Sequence, residues 1–283
     1  MRVIDVLHMG RRHVIGCWEL DSGVLVDPGP QSCEATLLEA LGGERPAAIV
    51  LTHIHLDHAG IVGSLVRRWP DLPVHVHGRG APHLADPSRL VASASRLWDD
   101  VDVRWGEMVP VPEGNLHLMD DGDEVHGLRV AYTPGNASHH VCLLHEASGR
   151  AFVGDVLGVR RPGSALTVPP TPPPDIDLEA WHASIDVVRD WAPTSAALTH
   201  FGLHEDVGAL VEAAHDELAR LGEDARTLDA DRFLARFEAD VTERAGDREA
   251  AEAYLQAVPG ELQHPGLDRY WTRLGNDRRG RER

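Results

Sequence analysis

Lysine is missing from this chain: all 27 basic residues among its 283 are arginine, set against 45 acidic ones, for a formal charge of −18. That balance argues against a nucleic-acid partner, because phosphate binding is driven by Lys and Arg and the counterions they release. The absence of Lys itself reads as coding bias and carries no function. Cysteine is scarce: Cys17, Cys33 and Cys142 are odd in number, widely spaced and outside any metal-ligand pattern, which argues against a disulfide framework. No stretch approaches the roughly 20 apolar residues of a membrane span. Met1-Arg2-Val3-Ile4-Asp5 enters strand-like alternation directly, where a signal peptide would show an apolar core. A cytoplasmic protein without a membrane partner is the expectation. There is no Gly-x-Ser-x-Gly elbow and no cysteine placed near a histidine partner, so the chain offers no serine or cysteine nucleophile.

What is present reads as α/β. Strand signals fall at residues 3–7, 13–20 and 23–26, the last two separated by Asp21-Ser22, and again at 73–77, 128–132, 140–145, 151–153 and 196–199. Helical patterns fall at 33–41, ended by Gly42-Gly43, at 60–69, near 88–99 and at 179–191. The second half thus repeats the element types of the first. From about 203 the chain turns to Ala, Leu, Glu and Arg-rich helix formers at 207–221, 231–245 and 248–258. The expected organisation is a main domain over 1–204, a helical module over 205–275 and a disordered basic tail over 276–283. Packing or dimerisation, giving a homodimer, is the expected role of the module, with lining of a substrate pocket as the alternative. Residues 162–174, ending Val168-Pro169-Pro170-Thr171-Pro172-Pro173-Pro174, form a stiff segment poor in backbone donors and suit a rim, lid or partner surface.

The most informative segment is His53-Ile54-His55-Leu56-Asp57-His58, which follows the apolar run 47–51. Imidazole nitrogens and carboxylate oxygens are the donors that Zn²⁺ and similar cations accept. Four such groups packed this tightly would otherwise form a costly desolvated cluster. Lying between a buried strand and the helical pattern 60–69, they sit on a turn, where neighbouring side chains can converge on one point.

The spacing His53-x-His55-x-Asp57-His58 resembles the signature of the metallo-β-lactamase fold superfamily. Further parts of that pattern follow in order over residues 2–204: Asp27-Pro28-Gly29, Thr133-Pro134-Gly135, Gly154-Asp155, and His200 at a strand end. The resemblance implies an αββα sandwich with metal at one edge of the sheets. It places His53 and His55 in a first metal site, Asp57, His58 and His200 in a second, and Asp155 between them. Its implied cofactor is zinc, one or two ions, with iron or manganese open. The implied activity is hydrolysis of a small carbonyl substrate by metal-activated water, with Asp57 as the catalytic residue that orients or deprotonates it. An oxidative reading, similar to the single-iron persulfide dioxygenases of the superfamily, is a second possibility. A catalytically impaired member that binds a partner is a third.

One position departs from the pattern. The family's ligand His after Thr-Pro-Gly is replaced by Asn136, in Gly135-Asn136-Ala137-Ser138-His139-His140. A neutral amide oxygen is a poorer ligand than imidazole, so the first site should be weakened. Asn136 could coordinate through its oxygen, His139 or His140 could substitute, or the first site could stay vacant; a sequence altered to disable the enzyme is the fourth alternative. His140 matches a second His in the glyoxalase II pattern, with a supporting role. Thioester, lactone, β-lactam and ester carbonyls would be treated alike by such metals. The Tyr that similar lactonases carry three positions after the bridging Asp is Gly158 here, and no basic pair stands out in the helical module to hold a glutathione carboxylate. Trp98, Trp105, Leu166 and Trp181 are apolar candidates for the mouth. A core role is favoured for Trp98 and Trp181, and ligand contact for Leu166. Arg160 and Arg161 could meet a substrate anion or simply be solvated.

Overall fold

The computed structural model describes residues 1–281. Its strands form two six-stranded sheets. The first runs in chain order through β1 (Arg2–Asp5), β2 (Gly16–Glu19), β3 (Val24–Val26), β4 (Ala48–Val50), β5 (Val74–His77) and β6 (Leu116–Met119). Its first two pairings are antiparallel and the next three parallel. The second sheet runs β7 (Glu124–Val125), β8 (Leu128–Tyr132), β9 (Val141–His145), β10 (Arg150–Phe152), β11 (Ser195–Leu198) and β12 (Gly202–His204). There only β10 and β11 are parallel.

Strands apolar on both faces explain why each sheet is covered twice. Val24 and Val26 of β3, Ala48 and Val50 of β4, Val141 and Leu143 of β9, and Phe152 of β10 share one core between the sheets. Their alternates point outward: Leu25 and Ile49 join a second core under the helices of the first half. Cys142, Leu144 and Ala151 join a third core under those of the second half. The layers are therefore helix, sheet, sheet, helix, the αββα sandwich expected from the sequence.

The first outer layer holds α1 (Glu34–Ala40), α2 (Leu56–Ala59), α3 (Val62–Arg68), α4 (Ala81–Ala85), α5 (Ser88–Ala94) and α6 (Val101–Arg104). The second holds α7 (Leu178–Trp191) and the C-terminal helices α8 (Val207–Thr227), α9 (Ala230–Arg244), α10 (Arg248–Ala257) and α11 (Gly260–Arg281). Each of α7 to α10 opens on an aspartate, Asp177, Asp206, Asp229 and Asp247, whose carboxylate accepts a first-turn N–H. Such a cap contributes about 0.5–2 kcal/mol. Buried Glu217 and Asp224 of α8 accept ion pairs from Arg220, Arg236 and Arg244, tying α8 to α9.

β6, β7, β12 and α11 lie outside the strand and helix signals of the sequence. For α11 the reason is Pro265-Gly266, which reads as a breaker but sits inside the helix. The basic tail expected at 276–283 is helical backbone as far as Arg281, and its last two residues lie outside the described residues.

Candidate metal centre

Parallel strands deliver their C-terminal ends to one edge of the sandwich, and the site is built there. β4 leads into His53, His55, Asp57 and His58, the last two on α2; β10 leads into Asp155, and β11 into His200. Crevices at such strand ends are where open α/β sheets place ligands.

The six side chains converge as two groups. His53, His55 and Asp155 form one, and Asp57, His58 and His200 the other, each with donor atoms within 4.8 Å of one another. Asp155 joins them: its Oδ2 lies 3.6 Å from His53 Nε2, while its Oδ1 lies 3.3 Å from His58 Nε2 and 3.6 Å from His200 Nε2. Asp57 Oδ2 is 3.3 Å from His200 Nε2 and 3.7 Å from His58 Nε2.

Hydrogen bonds on the far side of the rings fix which nitrogen faces the centre. His200 Nδ1–H donates to the Val14 carbonyl at 2.6 Å, and His58 Nδ1–H donates to Asp27 at 2.8 Å, leaving both Nε2 atoms inward. Asp27 is fully buried and also accepts from Thr52 N, Thr52 Oγ1 and Thr199 Oγ1, so it clamps the ends of β4 and β11 together. The sequence showed Asp27 as part of a motif, but its role as an acceptor for the two separated segments that carry Thr52 with His58 and Thr199 was not visible there.

Charge is divided unevenly across the cluster. Burial opposes protonation of His58, but the carboxylates of Asp155, Asp57 and Asp27 outweigh it and push its pKa well above the usual histidine range. His200 is raised too, its hydrogen bond with Asp57 and the nearby carboxylates overcoming burial. His53 is pushed well down by burial and by its imidazole neighbours. Burial lowers His55 as well, against the pull of Asp57 and Asp155. Asp57 and Asp155 fall below the ordinary carboxylate range: burial would raise them, and the His58 charge beside them prevails. The Asp57 group thus attracts positive charge, and the His53 group presents two neutral imidazoles beside the Asp155 carboxylate.

The donor set fits a metal. His58 Nε2 and Asp155 Oδ1 are buried without a hydrogen-bond partner, and His53 Nε2 faces His55 Nδ1 at 2.9 Å. Nitrogens and oxygens aimed at one another in a dry site are costly unless a cation lies among them.

Asn136 is buried, its Nδ2 donating to the Pro170 carbonyl at 3.0 Å and its Oδ1 left without a partner. His140 is turned away from the substitute-ligand role: its Nε2 accepts the Asp155 backbone N–H at 3.2 Å, and its Nδ1 pairs with Thr133 Oγ1 at 3.0 Å. That is the supporting position. His139 stays beside the first group, 6.2 Å from the His53 ring, with Nδ1 buried and unpartnered.

A cavity of about 520 Å³ opens over this centre, with His55, Asp57, Asp155 and His139 in its lining. Trp98 and Trp105 wall it; Trp98, for which a core role was expected, is half-buried there. Trp181 is core, its Nε1–H donating to the Val156 carbonyl. Leu166 is not at the mouth: it is buried in the outer core, its carbonyl accepting from Tyr254. Arg160 and Arg161 are absent from the lining and bond to the Ser164 and Arg12 carbonyls instead. Gly158 has a left-handed φ of 75°, and a Cβ there would meet the Val168 backbone at 3.0 Å, so this loop has no room for a tyrosine. The helical module both packs on α7 and walls the cavity through Gln256, Leu262 and Gln263, opposite prolines of the 170–174 segment.

The fold and this centre define a class, and comparison with known proteins agrees. The model of the metallo-beta-lactamase superfamily matches residues 19–193, more than half of the chain, which therefore belongs to that superfamily. A hydroxyacylglutathione hydrolase of Xylella fastidiosa is 33% identical over 139 residues, 47% of this chain and 40% of the relative. The probable metallo-hydrolase YflN of Bacillus subtilis is 31% identical over 158 residues, 49% of this chain and 57% of the relative. The chain thus spans about half the length of the curated relatives it matches. Among solved structures, the archaeal superfamily protein ST1585 of Sulfolobus tokodaii superposes with a TM-score of 0.69 at 20% identity, over 94% of this chain and 97% of that one. TTHA1623, solved in a di-iron-bound form, gives 0.52 at 28% identity, over 69% and 91%.

Proposed function

We propose that the chain is a metal-dependent hydrolase acting with metal-activated water on a small carbonyl substrate, a thioester, a lactone or a related ester or amide. One observation carries the reading: six donors from three separated segments meet at the floor of a cavity, with buried Nε2 and Oδ1 atoms that lack any other partner. The relatives called hydroxyacylglutathione hydrolase and metallo-hydrolase support it.

His53, His55 and Asp155 would hold one ion, and Asp57, His58 and His200 another, with Asp155 shared and the first site weakened by Asn136. The nitrogen and carboxylate donors suit zinc; iron, which the similar TTHA1623 carries, and manganese accept the same set. When bound, such a metal lowers the pKa of water and polarises a carbonyl. Asp57 would orient the water or take its proton: it lines the cavity as Asp155 does, and its side chain is 21% exposed, against 4% for Asp155 and 0% and 2% for His58 and His200. His58 and His200 hold its Oδ2 in place. We divide the chain near residue 204, the sandwich supplying the donors and the module one wall.

Elemental analysis of protein purified without added metal, beside a panel of thioesters, lactones and a chromogenic β-lactam, tests the reading. The expected result is one firmly held divalent ion per chain, a second on metal supplementation, and turnover that chelation abolishes. Protein that takes up no metal, or that is loaded and inert across the panel, overturns it.

A further inference from the structure

We propose that the cavity selects substrates carrying an apolar segment and, remote from the carbonyl, a carboxylate or phosphate that Arg89 and Arg96 bind at its mouth; this rests on the hydrolase reading above. Three observations lead there. First, the lining changes character with position: donors at the floor, then Leu90, Leu97, Trp98, Trp105 and Leu262, and then the exposed side chains of Arg79, Arg89 and Arg96.

Second, two of these arginines are not paired with a carboxylate. On a chain of charge −18, arginines such as Arg220, Arg226, Arg244 and Arg248 are paired with carboxylates. Among the described residues, the side chains of Arg89 and Arg96 make neither a hydrogen bond nor an ion pair. Arg79 is held by the Tyr132 hydroxyl at 2.9 Å and lies over its ring. Of the acids in the lining, Asp57 and Asp155 belong to the histidines, and Asp175 accepts from Ser138 Oγ at 2.7 Å. Third, Trp98 and Trp105 pack edge to face at 5.3 Å and give the wall between floor and mouth an aromatic surface that suits an apolar segment.

Guanidinium groups without a paired carboxylate, Arg89 having only the field of the exposed Asp86 nearby, make a local positive potential that draws in anions. Their planar donor forks match carboxylate and phosphate oxygens. Arg89 lies on α5 and Arg96 in the turn just past its end at Ala94, and both line the same cavity, so one anionic group can be met by both.

Binding and turnover are measured separately on the full-length protein as purified. In calorimetric titrations, octyl phosphate and octanoate should bind about tenfold or more tightly than octanamide, the size expected of charge-assisted hydrogen bonds. The stronger of the two anions identifies the preferred group. The double variant Arg89→Met, Arg96→Met keeps the apolar stems and should remove the preference while leaving octanamide binding unchanged. In turnover, butanoyl thioesters of 3-mercaptopropionate or of a phosphate-bearing thiol should exceed that of neutral N-acetylcysteamine in kcat/KM, with the advantage lost in the double variant and reduced by salt. Equal binding of anionic and neutral probes, or a preference that survives the double substitution, overturns the proposal. Thioester hydrolysis with no charge preference would leave the hydrolase reading standing and remove this one; arginine-dependent anion binding by metal-loaded protein that is inert across thioesters, lactones and the β-lactam would do the reverse.

Discussion

Asp57 is both a candidate metal donor and the group placed to handle the proton, so Asp57→Asn is read at matched metal content. It keeps the size and one oxygen but cannot take a proton, and kcat per bound metal should fall by about 10²- to 10⁴-fold, the contribution of a positioned base. Circular dichroism and the urea midpoint should show a retained fold; full turnover in the variant would remove Asp57 from the path of the proton. Asn136 is tested in the opposite direction. Asn136→His restores imidazole where the relatives' pattern has it, and both metal stoichiometry and rate should rise. Unchanged stoichiometry would mean that the orphaned Oδ1, or the neighbouring His139, already serves as donor. The six donor positions were legible in the sequence because four lie in one short motif and the others end strands. The engagement of His140 by the Asp155 N–H was not, since it depends on how two loops pack.

At the scale of elements, β5 and β6 carry a histidine cluster away from the metal donors. His75 Nε2 lies 3.1 Å from His126 Nε2, and the His117 ring stacks at 5.2 Å. Burial, with the His126 and His117 imidazoles adding to it, pushes His75 down to about 4. Its unfolded value is about 6.5, so between these values the unfolded chain binds the extra proton. The His75 contribution is therefore complete above about pH 6.5 and is lost as pH falls toward 4. With His75 only half-buried, solvent screening holds the effect to at most about 1 kcal/mol. Urea midpoints from pH 7.5 to 4.5 should fall less steeply for His75→Gln than for the parent chain, and parallel curves would refute the assignment. The strands read most easily from sequence were those apolar on both faces, such as β9. β6 was missed because Leu118 is 66% exposed and His117 is exposed too, so apolar residues do not mark one face of this strand and only Met119 is fully buried. The arginines of α5 were in plain view as residues, but which side of that helix meets the cavity is decided by tertiary packing.

At the scale of the whole molecule, α11 secures the proline-rich rim. Gln263 Oε1 accepts from Thr171 N at 2.7 Å and from its hydroxyl at 2.9 Å, all buried. Gln263→Ala would strand that N–H and should cost about 1–3 kcal/mol, read as a lower urea midpoint. A Cβ on Gly266 would lie 2.1 Å from the Thr171 carbonyl oxygen, so Gly266→Ala must push helix and rim apart. Because the rim walls the cavity, KM should rise more than kcat falls. A rise in neither would show that the module serves stability alone.

The donors hang from both sheets: the His53 to His58 run from one, Asp155 and His200 from the other. An ion seated among them is a rivet that exists only in the folded chain, so its binding free energy adds to that of folding, by about 2.7 kcal/mol when free metal is a hundredfold above its Kd. The melting temperature of the protein should then vary with the trace-element supply of the culture that produced it, and two preparations of one sequence can differ in heat resistance with no difference in their covalent structure.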